Sequence, residues 1–398
     1  MKEKESAYHS LFNEAKELFG KIRSIRREIH EHPELSFREE RTSALLSSLL
    51  DEAGISHRKV AGTGILARID GNDSPSDDVV VLRADMDALP ICEKTPVPFA
   101  SRNGAMHACG HDIHTASLLG ALLSLNKRKN TFSGTVLGLF QPGEEQNPGG
   151  ASIVLKEGVF KDFSPKVFIA QHVAPEIPAG SYGTREGLYM ASTDEVRFTI
   201  TGKGGHGALP HTLTDPVTAG ATLITALQTI VSRNANPILP TVLSFGRFIA
   251  EGATNVIPDN VHIEGTFRTM DEEWRNKSLQ RIEEIANGIA SAYGVKIAVN
   301  ISRGYPCVRN NPEYTQIVRN VLEELVSPAH VEYLDMRMTG EDFGFYTQQY
   351  PSVFFRLGVG HTDGTETSNL HSATFYPNEE ALVYGITALT ALALRFRQ

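Results

Sequence analysis

The apolar positions of the chain fall into two textures. In "VVVLRA" (Val79–Ala84), "TVLGLF" (Thr135–Phe140), "VFIAQ" (Val167–Gln171) and "SVFFRLGV" (Ser352–Val359) they run almost without a break, as strands covered on both faces do. Between the first two runs, "HTASLLGALLSLNKR" (His114–Arg128) repeats its apolar residues at helical spacing. Strand, helix, strand at this interval predicts a mostly parallel sheet flanked by helices. From about Ser192 the texture changes. "EVRFTIT" alternates Val196, Phe198 and Ile200 with Glu195, Arg197 and Thr199, which predicts a strand with one wet face. A helix over Asp215–Asn234, strands at "TVLSFGRFIA" and "NVHIEGTFRT", a helix from Asp271 to Gly294 and the strand "VKIAVNIS" complete a βαββαβ order, that of a ferredoxin-like α+β sandwich. At the start of the chain, Ala7–Ala53 is helically periodic except at "EHPELSF", where Pro33 should break the helix. A final helix starts near Asn378.

The pattern predicts an α/β protein. Its catalytic domain, with a mostly parallel sheet, is built from residues 1–189 and 303–398, and a smaller α+β domain is inserted over 190–302. A length of 398 residues agrees, being too great for one ordinary core. Hydrophobic content of 41% and charged content of 21% are those of a globular protein. With 38 Lys plus Arg against 47 Asp plus Glu, the net charge of −9 offers no general attraction to nucleic acid or an anionic membrane. The three cysteines (Cys92, Cys109, Cys307) imply no disulfide framework and suit a reducing, cytoplasmic compartment. Cys92 and Cys307 have no titratable cluster around them and are expected to be small buried side chains. The N-terminus carries no apolar signal-peptide core, and no apolar run is long enough to span a bilayer.

Reactive residues crowd at particular places. "MHACGHDIHT" (Met106–Thr115) holds one cysteine and three histidines. Asp85 and Asp87 follow the first apolar run, Glu144 and Glu145 the second, and His172 the third, while His371 lies in a loop beyond the fourth. Ligands of open α/β sheets bind beyond the carboxyl ends of the strands, so these segments should meet on one edge. Cys109 and His111 sit just ahead of a helix, whose N-terminal end favours a thiolate.

Cys109, His111, Glu145, His172 and His371 mix sulfur, imidazole and carboxylate, a set suited to zinc, cobalt, nickel or manganese. Five donors are too many for one open catalytic zinc. They suit two ions about 3.5–4 Å apart, which lower the pKa of bound water from 15.7 to about 7. Of the adjacent pair in "GEE", Glu145 is assigned to metal and Glu144 to the role of general base. His107 and His114, inside the cluster, are candidates for contact with metal or only with a ligand. A rival chemistry makes Cys109 a nucleophile with His111 or His172 as base, which leaves Glu145 and His371 without a joint purpose. His9, His57, His262 and His330 read as surface or satisfied residues. "GTGILA" (Gly62–Ala67) lacks the third glycine of a dinucleotide fingerprint and reads as a hairpin.

The motifs "RREIHEHPELSFRE", "RADMDALPI", "MHACGHDIHTA", "QPGEEQNPGGA", "GKGGHGALPH", "ATNVIPD", "GTFRT", "MTGEDFGFY" and "LHSATFYPNEEAL" together resemble a group of metal-dependent amidohydrolases. The group includes hippurate hydrolases, indole-acetyl-amino-acid hydrolases, N-acetyl-diaminopimelate deacetylases and thermostable microbial carboxypeptidases, within the aminoacylase and metallo-carboxypeptidase family. The resemblance runs from about Ile25 to Leu392. It implies a dinuclear metal site on Cys109, His111, Glu145, His172 and His371, with Glu144 as base. It also implies that the inserted domain is a lid through which the chain forms a homodimer. His206 is then similar to a residue that holds the oxyanion, and Asn255 and Arg268 to residues that grip the substrate or its carboxylate. The wider family has His-x-Asp where this chain has Asp85-Met86-Asp87. The cysteine motif replaces the missing histidine, and Asp87 is expected to orient a ligand histidine rather than bind metal. The implied activity is cleavage of the amide bond of N-acyl amino acids by metal-bound hydroxide. A carboxypeptidase acting on short peptides, a deacetylase and a catalytically silent acyl-amino-acid-binding protein are the alternatives.

Overall fold

The protein is described by a computed structural model that covers residues 2–73 and 76–397. The chain divides into two compact units: one comprises the chain up to Leu188, Arg309–Asp335 and the chain from Phe345, and the other Tyr189–Val308 with Met336–Gly344.

The first unit is a mixed α/β structure around an eight-stranded sheet. Across the sheet the strands run in the order Ser56–Val60, Gly64–Asp70, Thr135–Gln141, Val79–Asp85, Pro165–Pro178, Ser352–Gly360, Tyr182–Thr184 and Val331–Tyr333. The four central strands are parallel. These are the four unbroken apolar runs, and every residue of Val79–Asp85 is buried. On either side antiparallel pairings appear, although Val331–Tyr333 at one edge again runs parallel to Tyr182–Thr184, so the sheet is mixed around a parallel centre. One reason is local: "GTGILA" belongs to a hairpin, with Ala61 (φ 48°) and Gly62 (φ 81°) reversing the chain between Ser56–Val60 and Gly64–Asp70. The helices Lys2–Glu31, His111–Lys127 and Ala381–Arg395 supply Ile22, Ile25, Leu118, Leu122, Ile386 and Leu389 to the apolar core. The first of them stops just short of Pro33, where the ring can no longer continue the ladder.

The second unit has its own core. Thr241–Ile249, Asn260–Thr269, Asp194–Thr201 and Lys296–Arg303 form a four-stranded sheet in that spatial order, antiparallel throughout. Val196, Phe198 and Ile200 point inward against Leu223 and Leu227 of helix Pro216–Thr229 and Ile282 of helix Glu272–Tyr293. Asp271 caps the latter helix by accepting the Trp274 N–H, and Gly294 (φ 66°) ends it. A short ribbon pairs Gly205–His206 with Val256–Ile257. No described helix is long and apolar enough to cross a membrane.

Candidate active site

The parallel strands of the first unit bring their carboxyl ends to one edge, and the turns that follow carry the reactive groups. Asp85 closes Val79–Asp85, and Gln141 leads through Pro142 and Gly143 into Glu144 and Glu145. Gly143 has φ 63°, and a Cβ there would lie 2.3 Å from the Phe37 ring, so only glycine makes this turn. Phe37 is itself left-handed (φ 64°). The buried Glu39 carboxylate holds both residues, accepting the Phe37 N–H at 2.9 Å and the Gly143 N–H at 2.9 Å. Gly110 (φ 79°) precedes the helix that starts at His111. His371, also left-handed (φ 63°), gives its N–H to the Ala108 carbonyl at 2.9 Å, which ties its loop to the neighbour of Cys109.

The donor atoms of Cys109, His111 and His172 lie within 4.8 Å of one another, and so do those of Cys109, Glu145 and His371. Two triads thus share one sulfur. Cys109 Sγ is 3.4 Å from His172 Nε2, His371 Nε2 is 3.3 Å from Glu145 Oε1, and His111 Nε2 is 3.9 Å from the same oxygen. Metal–sulfur bonds of about 2.3 Å and metal–nitrogen bonds of about 2.0–2.1 Å put tetrahedral donors about 3.5 Å apart, so these spacings are those of a ligand set. His111 Nε2 is buried with no hydrogen-bond partner among the described residues, and the equally buried Glu145 Oε1 faces only the ring nitrogens of His371 and His111. An orphaned buried nitrogen costs about 1–3 kcal/mol, and a bound cation would satisfy it and the carboxylate together. The residues fit divalent metal.

The far sides of the ligand rings are fixed. His111 Nδ1 donates to the Asp87 carbonyl at 2.9 Å and to its carboxylate at 3.2 Å, and His172 Nδ1 donates to the Val173 carbonyl at 2.8 Å. Both rings therefore present Nε2. The other Asp87 oxygen accepts the Glu145 N–H at 2.9 Å and the Ser36 hydroxyl at 2.6 Å.

The electrostatics point the same way. Burial, aided by the Arg356 guanidinium, pushes the pKa of His172 far down and keeps its ring neutral. Burial opposes charge on His111 as well, yet Asp85, Cys109 and Asp87 raise it well above the ordinary histidine value. Hydrogen bonds to Cys109 and Glu145 raise His371 to about 10. The Cys109 thiol is pushed up by burial and then by Glu145. The helix N-terminus expected to favour its thiolate is therefore outweighed. Divalent cations held by these residues would reverse that balance, standing in for the protons on His111 and His371 and favouring the Cys109 thiolate.

His114 and His107 behave differently. His114 gives Nδ1–H to Asp85 at 2.5 Å and accepts the Val173 N–H on Nε2 at 2.9 Å, so neither nitrogen is left for metal. His107 is buried with both ring nitrogens unpartnered among the described residues, and burial lowers it to about 4. Ser36, Glu39 and Arg83 were not foreseen as site residues. The signals were an unexplained polar loop ("ELSFRE") and an arginine inside an apolar run. Cys307 is buried as expected, its thiol raised to about 12 by burial and Glu272, but Cys92 is exposed, lying in a loop rather than a core element.

The second unit holds the remaining candidates. The ribbon register sets His206 opposite Val256, and the Asn255 carbonyl accepts the Gly207 N–H at 2.8 Å, so His206 and Asn255 are neighbours on one exposed ribbon. Arg268 stands on Asn260–Thr269, half-buried, with Nη1 donating to the Met338 carbonyl at 3.1 Å.

A model of peptidase family M20/M25/M40 matches residues 81–395. The chain belongs to the M20/M25/M40 peptidase family. The matched stretch contains all five donors and both members of the "GEE" pair. An N-acetyldiaminopimelate deacetylase of Enterococcus faecalis is 40% identical over 92% of this chain and 95% of its own. An N-acetylcysteine deacetylase of Bacillus subtilis is 39% identical over 93% and 95%. Among solved M20 structures, a Bacillus subtilis protein, YXEP, described as a dinuclear metal binding peptidase, superimposes with a TM-score of 0.80 at 34% identity, over 95% of this chain and 98% of its own.

Proposed function

We propose that this M20 amidohydrolase cleaves the amide bond of small N-acyl amino acids, with Cys109, His111, Glu145, His172 and His371 holding two divalent ions. The observation that carries the reading is the Cys109 sulfur common to two donor triads. Two sets of donors around one thiolate call for two cations, not for a cysteine nucleophile with a lone histidine. The ion pair, when bound, supplies Lewis acidity and brings the pKa of water from 15.7 to about 7. Zinc, manganese, nickel and cobalt all suit the donors.

The chain's own residues do the rest. Glu144, buried and with a carboxylate oxygen within 4.8 Å of donor atoms of His111 and Glu145, takes the proton of the attacking water and returns it to the departing amine. Asp87 keeps His111 and Glu145 in place. His206 donates to the developing oxyanion, while Asn255 and Arg268 bind the substrate carboxylate. Arg268 suits that role because it is half-buried and pairs with no carboxylate among the described residues, which leaves its other donors open to a bidentate partner. The second unit, ferredoxin-like in its βαββαβ order, serves as lid and as the homodimer contact, and the enzyme works in the cytoplasm, in keeping with its free cysteines. The relatives named as deacetylases of N-acetyldiaminopimelate and N-acetylcysteine support an acetylated amino acid as substrate.

The test is a panel of N-acetyl amino acids, hippurate and dipeptides, assayed with added zinc, manganese, nickel or cobalt. Turnover of the N-acyl compounds is expected. Turnover of dipeptides alone replaces the substrate class, and binding without turnover makes the chain a silent binder.

A further inference from the structure

Asp85 stands where the wider family has a histidine, and its carboxylate is not free to bind metal. Its Oδ2 lies 3.7 Å from His111 Nε2, the ring nitrogen that faces the donor cluster. The donor atoms of Asp85, His111 and His114 also lie within 4.8 Å of one another, so distance alone would admit Asp85 to a coordination sphere. Both carboxylate oxygens are nevertheless engaged. Oδ2 accepts from Arg83 Nη1 at 2.5 Å and Oδ1 from His114 Nδ1 at 2.5 Å, and all three side chains are fully buried. Arg83 is itself anchored: its Nε donates to Gln141 Oε1 at 3.1 Å, and the same oxygen accepts the Tyr346 hydroxyl at 2.9 Å. The backbone carbonyl of Asp85 takes the Thr115 hydroxyl at 2.7 Å. An arginine in a central, wholly buried strand is costly unless its charge is matched, and the charge that matches it is Asp85.

We infer that Arg83 is a built-in counter-ion that withholds Asp85 from the metal pair, so that Cys109 rather than this aspartate supplies the shared donor. The inference rests on the dinuclear reading above and extends it to a residue that touches no metal. The withheld carboxylate is then a positioning group. Through His114, whose Nε2 accepts the Val173 N–H at 2.9 Å, it fixes the strand beside His172. Releasing Asp85 adds a hard oxygen donor, which moves the site from borderline ions toward manganese.

The experiment loads the full chain with cobalt(II) and records its visible spectrum and metal content. The natural chain is expected to bind two ions and to show a thiolate-to-cobalt band from Cys109. Asp85→Asn removes a carboxylate that is not a ligand, so at saturating cobalt it should keep the thiolate band and both ions, while its weaker hold on Arg83 and His114 lowers the affinity. In Arg83→Met the freed carboxylate should raise the coordination number and lower the visible absorption several-fold. Its preference for manganese over zinc should rise by on the order of tenfold, the usual size of an effect passed through a ligand's partners. The double variant Arg83→Met/Asp85→Asn should return to the natural spectrum. An unchanged Arg83→Met spectrum, a double variant altered like the single one, or a cobalt ion lost from Asp85→Asn each overturns the inference. Should Arg83→Met fail to fold, Arg83→Gln, which also removes the charge that holds Asp85, takes its place in the comparison. A natural chain that binds no cobalt removes the metal reading itself; two bound ions together with any of those three results remove the counter-ion alone.

Discussion

Asp87 grips His111 twice, accepting from its Nδ1 through the backbone carbonyl at 2.9 Å and through the carboxylate at 3.2 Å. The second carboxylate oxygen takes the N–H of Glu145. One residue therefore sets the ring of one candidate metal donor and the backbone of another, although the two lie on different turns of the chain.

Asp87→Asn puts an amide NH2 against one of these donors whichever way it turns. Metal affinity should fall about 10–100-fold, the usual effect of losing a ligand's orienting partner, while the fold persists. Competition with a chromophoric chelator measures it. An affinity equal to that of the natural chain would remove Asp87 from this role.

An orienting part for Asp87 is the expectation from the sequence, because its motif follows a buried strand and lacks the histidine of the wider family, and its hydrogen bonds to His111 and Glu145 suit that part. The partners of Asp87 could not be foreseen. Ser36 and Glu39 act on the site through a loop whose left-handed Phe37 (φ 64°) has no mark in the residue pattern. Helices, central strands and the reactive turns were legible since each depends on local periodicity or on where a strand ends. The antiparallel flanks of the main sheet and the grouping of Met336–Gly344 with the second unit depend on contacts between distant segments, which periodicity does not encode. Arg83 illustrates the limit. In "VVVLRA" it reads as an interruption, and its purpose emerges only when Asp85 is seen to face it.

The N-terminal helix predicts an acid sensitivity. His30 bonds Asp112 through Nδ1 at 2.7 Å and Glu93 through Nε2 at 3.1 Å, and all three side chains are buried. Burial opposes the charge on Glu93, but His30, Thr95 and the Ser101 N–H hold its carboxyl down to about 2, against an ordinary value of 4.5. A folded-state pKa below the unfolded one means that the stabilisation is complete above about 4.5 and is lost as pH falls toward about 2. Glu93→Gln should therefore be less stable than the natural chain at pH 6, and the gap should close across that window. Urea unfolding at a series of pH values checks it; a gap that does not vary with pH contradicts the assignment.

Arg268→Met should raise KM for an N-acyl amino acid by about 10–100-fold, since a hydrogen bond to a charged group contributes about 1.5–3 kcal/mol. The same substitution should leave KM almost unchanged for the matching N-acyl amine, which has no carboxylate to hold. Equal losses on both substrates would assign Arg268 a structural part through its bond to Met338.

Glu144→Gln separates catalysis from metal binding. The two glutamates of "GEE" are adjacent, yet Glu145 shares a triad with Cys109 and His371, while Glu144 joins His111 and Glu145 in a different group. A glutamine at 144 keeps the size and the hydrogen-bonding oxygen but cannot take a proton. Loss of a positioned general base costs about 10²–10⁴-fold, so kcat should fall by at least two orders of magnitude while elemental analysis still finds two ions per chain. Glu145→Gln should do the reverse, losing metal first and activity in proportion. If Glu144→Gln loses an ion and Glu145→Gln does not, the two assignments must be exchanged, and the proton then travels through the residue that the Asp87 carboxylate holds by its backbone.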